Sequence, residues 1–204
     1  EWTTTSTSPP TCASAADLSL SLYVHVPFCE TKCAYCDFAS WAGRSGEEAA
    51  WLGRIERELG LRGKDAAGPL FSVFFGGGTP SALSENGLER LCRAVRDNFR
   101  FQSGMEWSME ANPVSLTPVK LEIARDHGVN RISVGVQSFE PDLLLRMGRA
   151  HDADQAREAL GEQGEERALG IAAQRLEHDH LAAQPALLFG DPGEARERDQ
   201  RNLP

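Results

Sequence analysis

Apolar positions along this chain recur in short blocks whose period switches between two and about 3.6, the pattern of strands alternating with helices. Residues 22–26 (LYVHV) are apolar and β-branched and predict a strand. Residues 46–61 place Leu52, Ile55 and Leu59 at helical spacing. Residues 71–75 predict a second strand, stopped by Gly76, Gly77 and Gly78. Within 84–99, Leu88, Leu91, Cys92, Val95 and Phe99 share one helical face. Residues 107–110 are strand-like and end at Asn112 and Pro113. Thr117 and Pro118 then supply an N-cap and a proline at the first helical position, with Gly128 closing the helix. Residues 131–136 (RISVGV) predict a fourth strand, and 141–160 read as helix in two pieces about Gly148.

Four strand–helix units in succession imply parallel strands with crossover helices, in a βα-barrel or a doubly wound sheet. Each polar stretch falls just after a strand: a cysteine loop, GGGTP at 76–80, EANP at 110–113 and GVQSF at 135–139. In a barrel such loops gather at the C-terminal ends of the strands around one site. The expected fold is therefore α/β, and the gathering of polar loops at strand ends favours a βα TIM-like barrel. Residues 1–17, rich in Ser, Thr, Pro and Ala, read as a flexible lead-in, and 18–160 as the core of four βα units. Residues 161–204 read as a divergent segment: a polar, Ala-rich helix over 161–185, a strand at 186–189 (ALLF) and a solvated end.

The composition, 41% hydrophobic and 25% charged, belongs to a chain that can bury a core. Thirty acidic against 21 basic residues give a net charge of −9, which argues against broad nucleic-acid binding, since that needs clustered cations. No apolar run reaches about 18 residues, so no membrane span is expected. The five cysteines are an odd number, and three crowd into one loop. That fits a reducing compartment better than a disulfide framework. Residues 1–17 contain no Lys or Arg, and so lack the basic start of a signal peptide and the arginines of a mitochondrial presequence. The expected location is cytoplasmic, or mitochondrial if a presequence has been removed.

Cys29, Cys33 and Cys36 form a C-x3-C-x2-C loop. Three thiolates can grip three corners of a cubane 4Fe–4S cluster and leave the fourth iron open to a non-protein ligand. Zinc is the alternative, with His25 as a fourth ligand in H-x3-C-x3-C-x2-C. Cys92, on an apolar helix face, reads as a core residue, and Cys12 has no assigned role. The glycines of FFGGGTPS (74–81) expose backbone to close approach by a ligand, or else make a tight turn. The Lys-Ser/Thr of a phosphate-binding P-loop is absent there.

The arrangement C-x3-C-x-aromatic-C, made by Cys29, Cys33, Tyr35 and Cys36, resembles the cluster loop of the radical S-adenosylmethionine enzymes. The resemblance implies that the open iron chelates the methionine amino and carboxylate groups. It implies that an electron then cleaves the sulfonium to a 5′-deoxyadenosyl radical, with Tyr35 packed near the adenine. Gly77, Gly78 and Thr79 match the family's glycine-rich segment, implied to bind the amino group.

The Y-x-H-x-P-F-C stretch from Tyr23 to Cys29, EANP, GVNRISVGVQSF (128–139) and LLLRMGRAH (143–151) are similar to the coproporphyrinogen dehydrogenase branch. That likeness implies S-adenosylmethionine contacts from Tyr23, Glu110, Gln137 and Arg149, with Asn112 and His151 in support. The chemistry agrees: a carboxylate suits ribose hydroxyls or an ammonium, and a guanidinium suits a carboxylate. His25 is open to three readings: ligand, proton relay or structural group.

The oxidases of this branch add a fourth cysteine two residues after the third, where this chain has Phe38. The departure resembles the heme chaperone HemW group, implied to bind heme, to draw on an electron donor and to pass heme to an acceptor protein. The alternatives are an oxygen-independent coproporphyrinogen III oxidase, a zinc-stapled binding module and, more weakly, a tRNA-modifying radical enzyme, so enzyme and carrier both stay open. Beyond residue 160 the resemblance lapses: the family has an acidic residue before a Gly-Leu-Pro-Gly turn, and Ala186 stands in that place, so the resemblance implies a partial, truncated βα TIM-like barrel of the radical S-adenosylmethionine type.

Overall fold

Parallel strands follow one another into a single sheet in chain order. The computed structural model describes residues 20–161 and the backbone of 170–175. β1 (Leu20–Val26) leads into two short strands, β2 (Phe28–Cys29) and β3 (Trp41–Ala42), which pair with each other across the cysteine loop. Then follow α1 (Glu48–Asp65), β4 (Leu70–Gly77), α2 (Glu85–Asn98), β5 (Phe101–Ala111) and α3 (Pro118–His127). β6 (Arg131–Gln137), α4 (Pro141–Arg146), α5 (Ala153–Ala159) and β7 (Gly170–Arg175) complete the described elements. The main sheet runs β1-β4-β5-β6-β7, every neighbour parallel. A doubly wound sheet reverses its order at a switch point. Here the order never reverses, so the strands form the arc of a βα-barrel, with α1, α2 and α3 packed side by side.

Alternation along the strands puts Val24, Val26, Val73, Phe75, Trp107, Met109, Ile132, Val134 and Val136 out of solvent beneath the helices. They meet Leu52 and Leu59 of α1, Leu88, Leu91 and Val95 of α2, and Leu121 and Ala124 of α3. Trp107 stands edge-on to Phe75 with ring centroids 5.4 Å apart and stacks on Phe101 at 5.9 Å. Each fully buried side chain of this size contributes about 1.5–3 kcal/mol. Cys92 is wholly buried among them, as its helical face predicts, and burial pushes its thiol up to about 12.

The helix ends follow their local chemistry. The Ser84 hydroxyl accepts from Gly87 N at the start of α2, and the Thr117 hydroxyl from Lys120 N at the start of α3. Gly128 ends α3 at φ 105°, a left-handed cap that suits glycine.

Two elements differ from the sequence pattern, while the break expected about Gly148 is present. β5 has 11 residues rather than the four expected. Its register jumps from Leu70↔Phe101 to Ser72↔Glu106, so residues 102–105 bulge out around Gly104 and carry no alternation to read. The break in 141–160 spans 147–152 and ends in a capping box between Asp152 and Gln155. The helix expected over 161–185 is overturned at Gly170–Arg175, which pairs with β6 as β7. A bare sheet edge leaves backbone groups unpaired, and satisfying them outweighs helix preferences of at most about 0.7 kcal/mol per ordinary residue. The sheet therefore continues past residue 160. The lead-in at 1–17, the strand at 186–189 and the chain's solvated end lie outside the described residues. Among the described residues no helix is long and apolar enough to cross a membrane.

Candidate cofactor site

Four strand ends deliver their loops to one cleft. Cys29, Cys33, Tyr35 and Cys36 line it from the loop after β1, and Gly77, Gly78 and Thr79 from the end of β4. Glu110 and Asn112 enter from β5, Gln137 from β6 and Arg149 from beyond α4. Backbone bonds lock the glycine turn onto the start of the cysteine loop: Gly78 N donates to Val26 O and Thr79 N to Phe28 O, both at 2.7 Å. A Cβ on Gly78 would lie 2.6 Å from Phe28 O and 3.1 Å from Cys29 Sγ, so only glycine fits. Gly77 N donates to Glu110 Oε2 (3.2 Å), and Thr79 Oγ1 to Cys29 Sγ (3.5 Å).

The cysteine loop is held mostly by polar contacts. Lys32 Nζ donates to Phe38 O (2.6 Å) and Ser40 Oγ (3.2 Å). Ala34 N donates to Met147 O (3.2 Å), tying the loop to the end of α4. All three cysteines are half-buried free thiols. Arg149 enters among them: Nη1 donates to Cys33 Sγ (3.1 Å) and Tyr35 OH (3.4 Å), and Nη2 to Gly135 O. Its Nε is buried with no hydrogen-bond partner among the described residues. Burial pushes the Tyr35 hydroxyl up to about 12, with Cys33 adding to the rise and Arg149 opposing it.

Gln137 is the one non-glycine with positive φ (68°) among the described residues, and the β6–β7 register skips beside it. Such a bulge re-aims a side chain, here into the cleft, against backbone strain. Directly behind, the buried His151 has Nε2 2.9 Å from Val136 O. Burial lowers the His151 pKa, and the Arg149 charge lowers it further, so its imidazole is neutral and donates from Nε2.

Tyr23 and His25 are not among the residues that line the cleft. Tyr23 is 56% exposed, its ring stacks on Phe74 and its hydroxyl lies 3.2 Å from His25 Nδ1. Burial and the Glu110 charge raise its pKa. His25 Nε2 bonds Ala39 O at 2.7 Å and closes the cysteine loop, a bracing contact that matches the structural one of its three readings. Among the described residues no three His, Cys, Asp or Glu side chains converge closely enough for one metal ion. That does not support zinc through His25, whereas a cubane takes its thiolates at separate corners.

Sequence reasoning missed Thr31, Lys32, Ser40, Ala111, Ser133 and Gly135 in the cleft wall. For Ser133 the signal was available, since Ser133, Gly135 and Gln137 alternate along one strand face. Lys32 was marked only by its place between two of the cysteines.

Three thiols, a glycine turn with bare backbone and a half-buried guanidinium whose Nε is unpartnered fit a 4Fe–4S cluster beside a small ligand that carries ammonium and carboxylate groups. A family model for the radical SAM superfamily matches residues 23–162. The chain belongs to the radical SAM superfamily. That family carries a 4Fe–4S cluster and S-adenosylmethionine, and the barrel arc is its fold. This radical SAM chain is 37% identical over 176 residues to the heme chaperone HemW of Bacillus subtilis (strain 168), across 85% of this chain and 43% of that protein. It is 39% identical over 145 residues to radical S-adenosyl methionine domain-containing protein 1, mitochondrial, of Bos taurus, across 70% of this chain and 32% of that one. The solved coproporphyrinogen III oxidase HemN of Escherichia coli matches with a TM-score of 0.69 at 30% identity, over 77% of this chain and 37% of that chain. The chain thus spans less than half the length of these three proteins.

Proposed function

We propose that this chain is the cofactor-binding part of a heme chaperone, holding a 4Fe–4S cluster and S-adenosylmethionine and serving delivery of heme to an acceptor protein. The observation that carries the reading is the meeting of Cys29, Cys33 and Cys36 with the 77–79 turn and Arg149 in one cleft. When bound, the cluster supplies one-electron reduction toward a sulfonium, with the electron drawn from a separate donor. The chain's own residues hold and orient. Cys29, Cys33 and Cys36 bind three corners of the cluster. The backbone of 77–79 and the Glu110 carboxylate receive the ligand's ammonium and ribose hydroxyls, and Arg149 pairs its carboxylate. Tyr35 packs against the adenine and Gln137 closes the strand-end side, while Tyr23 at the rim reaches the ligand only by leaving Phe74.

Heme enters through the relatives named HemW and through Phe38, at the position where the oxidases carry another cysteine. The second reading, oxidative decarboxylation of coproporphyrinogen III, is favoured by the likeness to HemN. Nucleic acid is disfavoured by the net charge of −9. The compartment is the cytoplasm, with a mitochondrial form suggested by the bovine relative.

Anaerobic reconstitution with iron and sulfide is expected to give a brown protein with about four irons per chain. A colourless protein that takes up one zinc instead sinks the reading. Heme titration, run beside a porphyrinogen decarboxylation assay, then divides chaperone from oxidase.

A further inference from the structure

Behind the cleft, buried polar groups tie its loops together. Ser81 lies two residues past Thr79, and Ser115 three past Asn112. Both serines are buried, with hydroxyls 2.6 Å apart. Asn112 N donates to Ser81 Oγ (3.0 Å), and Ser115 Oγ to Asn112 O (3.3 Å). Lys120 reaches into this pair from the first turn of α3. Its Nζ donates to Ser81 O at 2.7 Å and to Ser115 O at 3.1 Å. Buried loop carbonyls need donors, and one ammonium with three hydrogens serves two loops at once. Burial pulls the Lys120 pKa down, while the charges of Glu30 in the cysteine loop, Glu85 of α2 and Glu48 of α1 hold it up. Lys120, Ser81 and Ser115 do not line the cleft themselves.

We propose that Lys120 is a positioning residue for the S-adenosylmethionine cradle, clamping the turn after β4 to the turn after β5 so that residues 77–79 keep their setting against Glu110. The proposal rests on the cofactor reading above. It makes a separable demand, because the clamp touches none of the three cysteines. The cluster assembles without it, and the ligand's cradle loosens.

Lys120→Met keeps the aliphatic stem and removes the donors. Wild-type and variant chains, both reconstituted, are compared by iron content, melting temperature and calorimetric titration with S-adenosylmethionine. The expected result is equal iron, with a Kd about tenfold weaker in the variant (about 1.4 kcal/mol). At saturating ligand the reduced cluster of both chains shows the same change in its electron paramagnetic resonance spectrum, a signature that general loosening of the fold would not preserve. Equal affinity in the two chains overturns the clamp, and so does a loss of iron and melting temperature in parallel with affinity. If Lys120→Met does not fold, Lys120→Gln decides, since its shorter, uncharged side chain weakens the same two bonds to Ser81 O and Ser115 O while keeping a polar head. Weaker binding with iron retained then supports the clamp, and unchanged binding overturns it. A wild-type chain that takes up no cluster or no ligand sinks the cofactor reading, and the clamp with it.

Discussion

On the helix side of the sheet, Val26, Phe75, Met109 and Val134 are sealed from solvent. On the opposite side of the same strands, Glu110, Ser133 and Gln137 line a cleft that also holds three thiols and a guanidinium. One residue of offset separates the two environments, because successive side chains on a strand point to opposite faces. The helix side is held by apolar burial, which is cumulative and indifferent to exact partners. The cleft side is held by single hydrogen bonds, close backbone approach at Gly78 and a strained residue at Gln137, all of which cost conformational freedom. Stability and chemistry are therefore separable by face, and that separation can be tested.

The largest expected effect is on the cleft side. Cys33→Ala is expected to abolish cluster assembly, read as iron and sulfide per chain, while the apo-chain's urea midpoint reports a stability change below about 1 kcal/mol. An apo-chain that unfolds would join the two faces again. Next comes the reverse experiment: Trp107→Ala on the helix side is expected to cost about 3–5 kcal/mol by urea unfolding, because it empties the space between Phe75 and Phe101. A loss under about 1 kcal/mol would show that this face is not the main source of stability.

Gln137→Gly sharpens the contrast at one position. Releasing a side chain from positive φ is expected to raise stability by about 1 kcal/mol, while weakening S-adenosylmethionine binding. Thermal melting and calorimetry read the two signs, and lost stability would show that the bulge is not strained. The smallest effect is a pH dependence. The folded-state pKa of His151 lies below its ordinary 6.5, burial first and Arg149 second. The unfolded chain therefore binds the proton first. His151's contribution is present above about pH 6.5 and is lost as pH falls toward the folded value. The urea midpoint is expected to drop between about pH 7.5 and pH 5.5, and to drop less in His151→Gln.

Much of this was legible beforehand. Residues 84–99 and 117–128 read as helices because their caps and apolar faces are local, and both are there. The strand-end loops read as one site because parallel βα order brings strand ends together, and ten of the eleven anticipated site residues line the cleft. Tyr23 stands outside it, because the ring it stacks on, Phe74, sits on another strand. β7 failed because its preference is set by the open edge of β6 rather than by its own residues.

By itself the amino-acid sequence determined the periodic core, the strand–helix order and the three-thiol loop, since each is written within a few turns or a few residues of chain. Only the tertiary structure decided that His25 bonds Ala39 across the cysteine loop, that Gln137 takes a strained conformation and that Lys120 joins two turns. Those contacts link residues brought together by sheet register and helix packing. Their partners are 14 to 39 positions away for His25 and for Lys120's bond to Ser81, beyond the reach of any local pattern. Hydrogen-bond geometry across such separations exists only once the chain has folded.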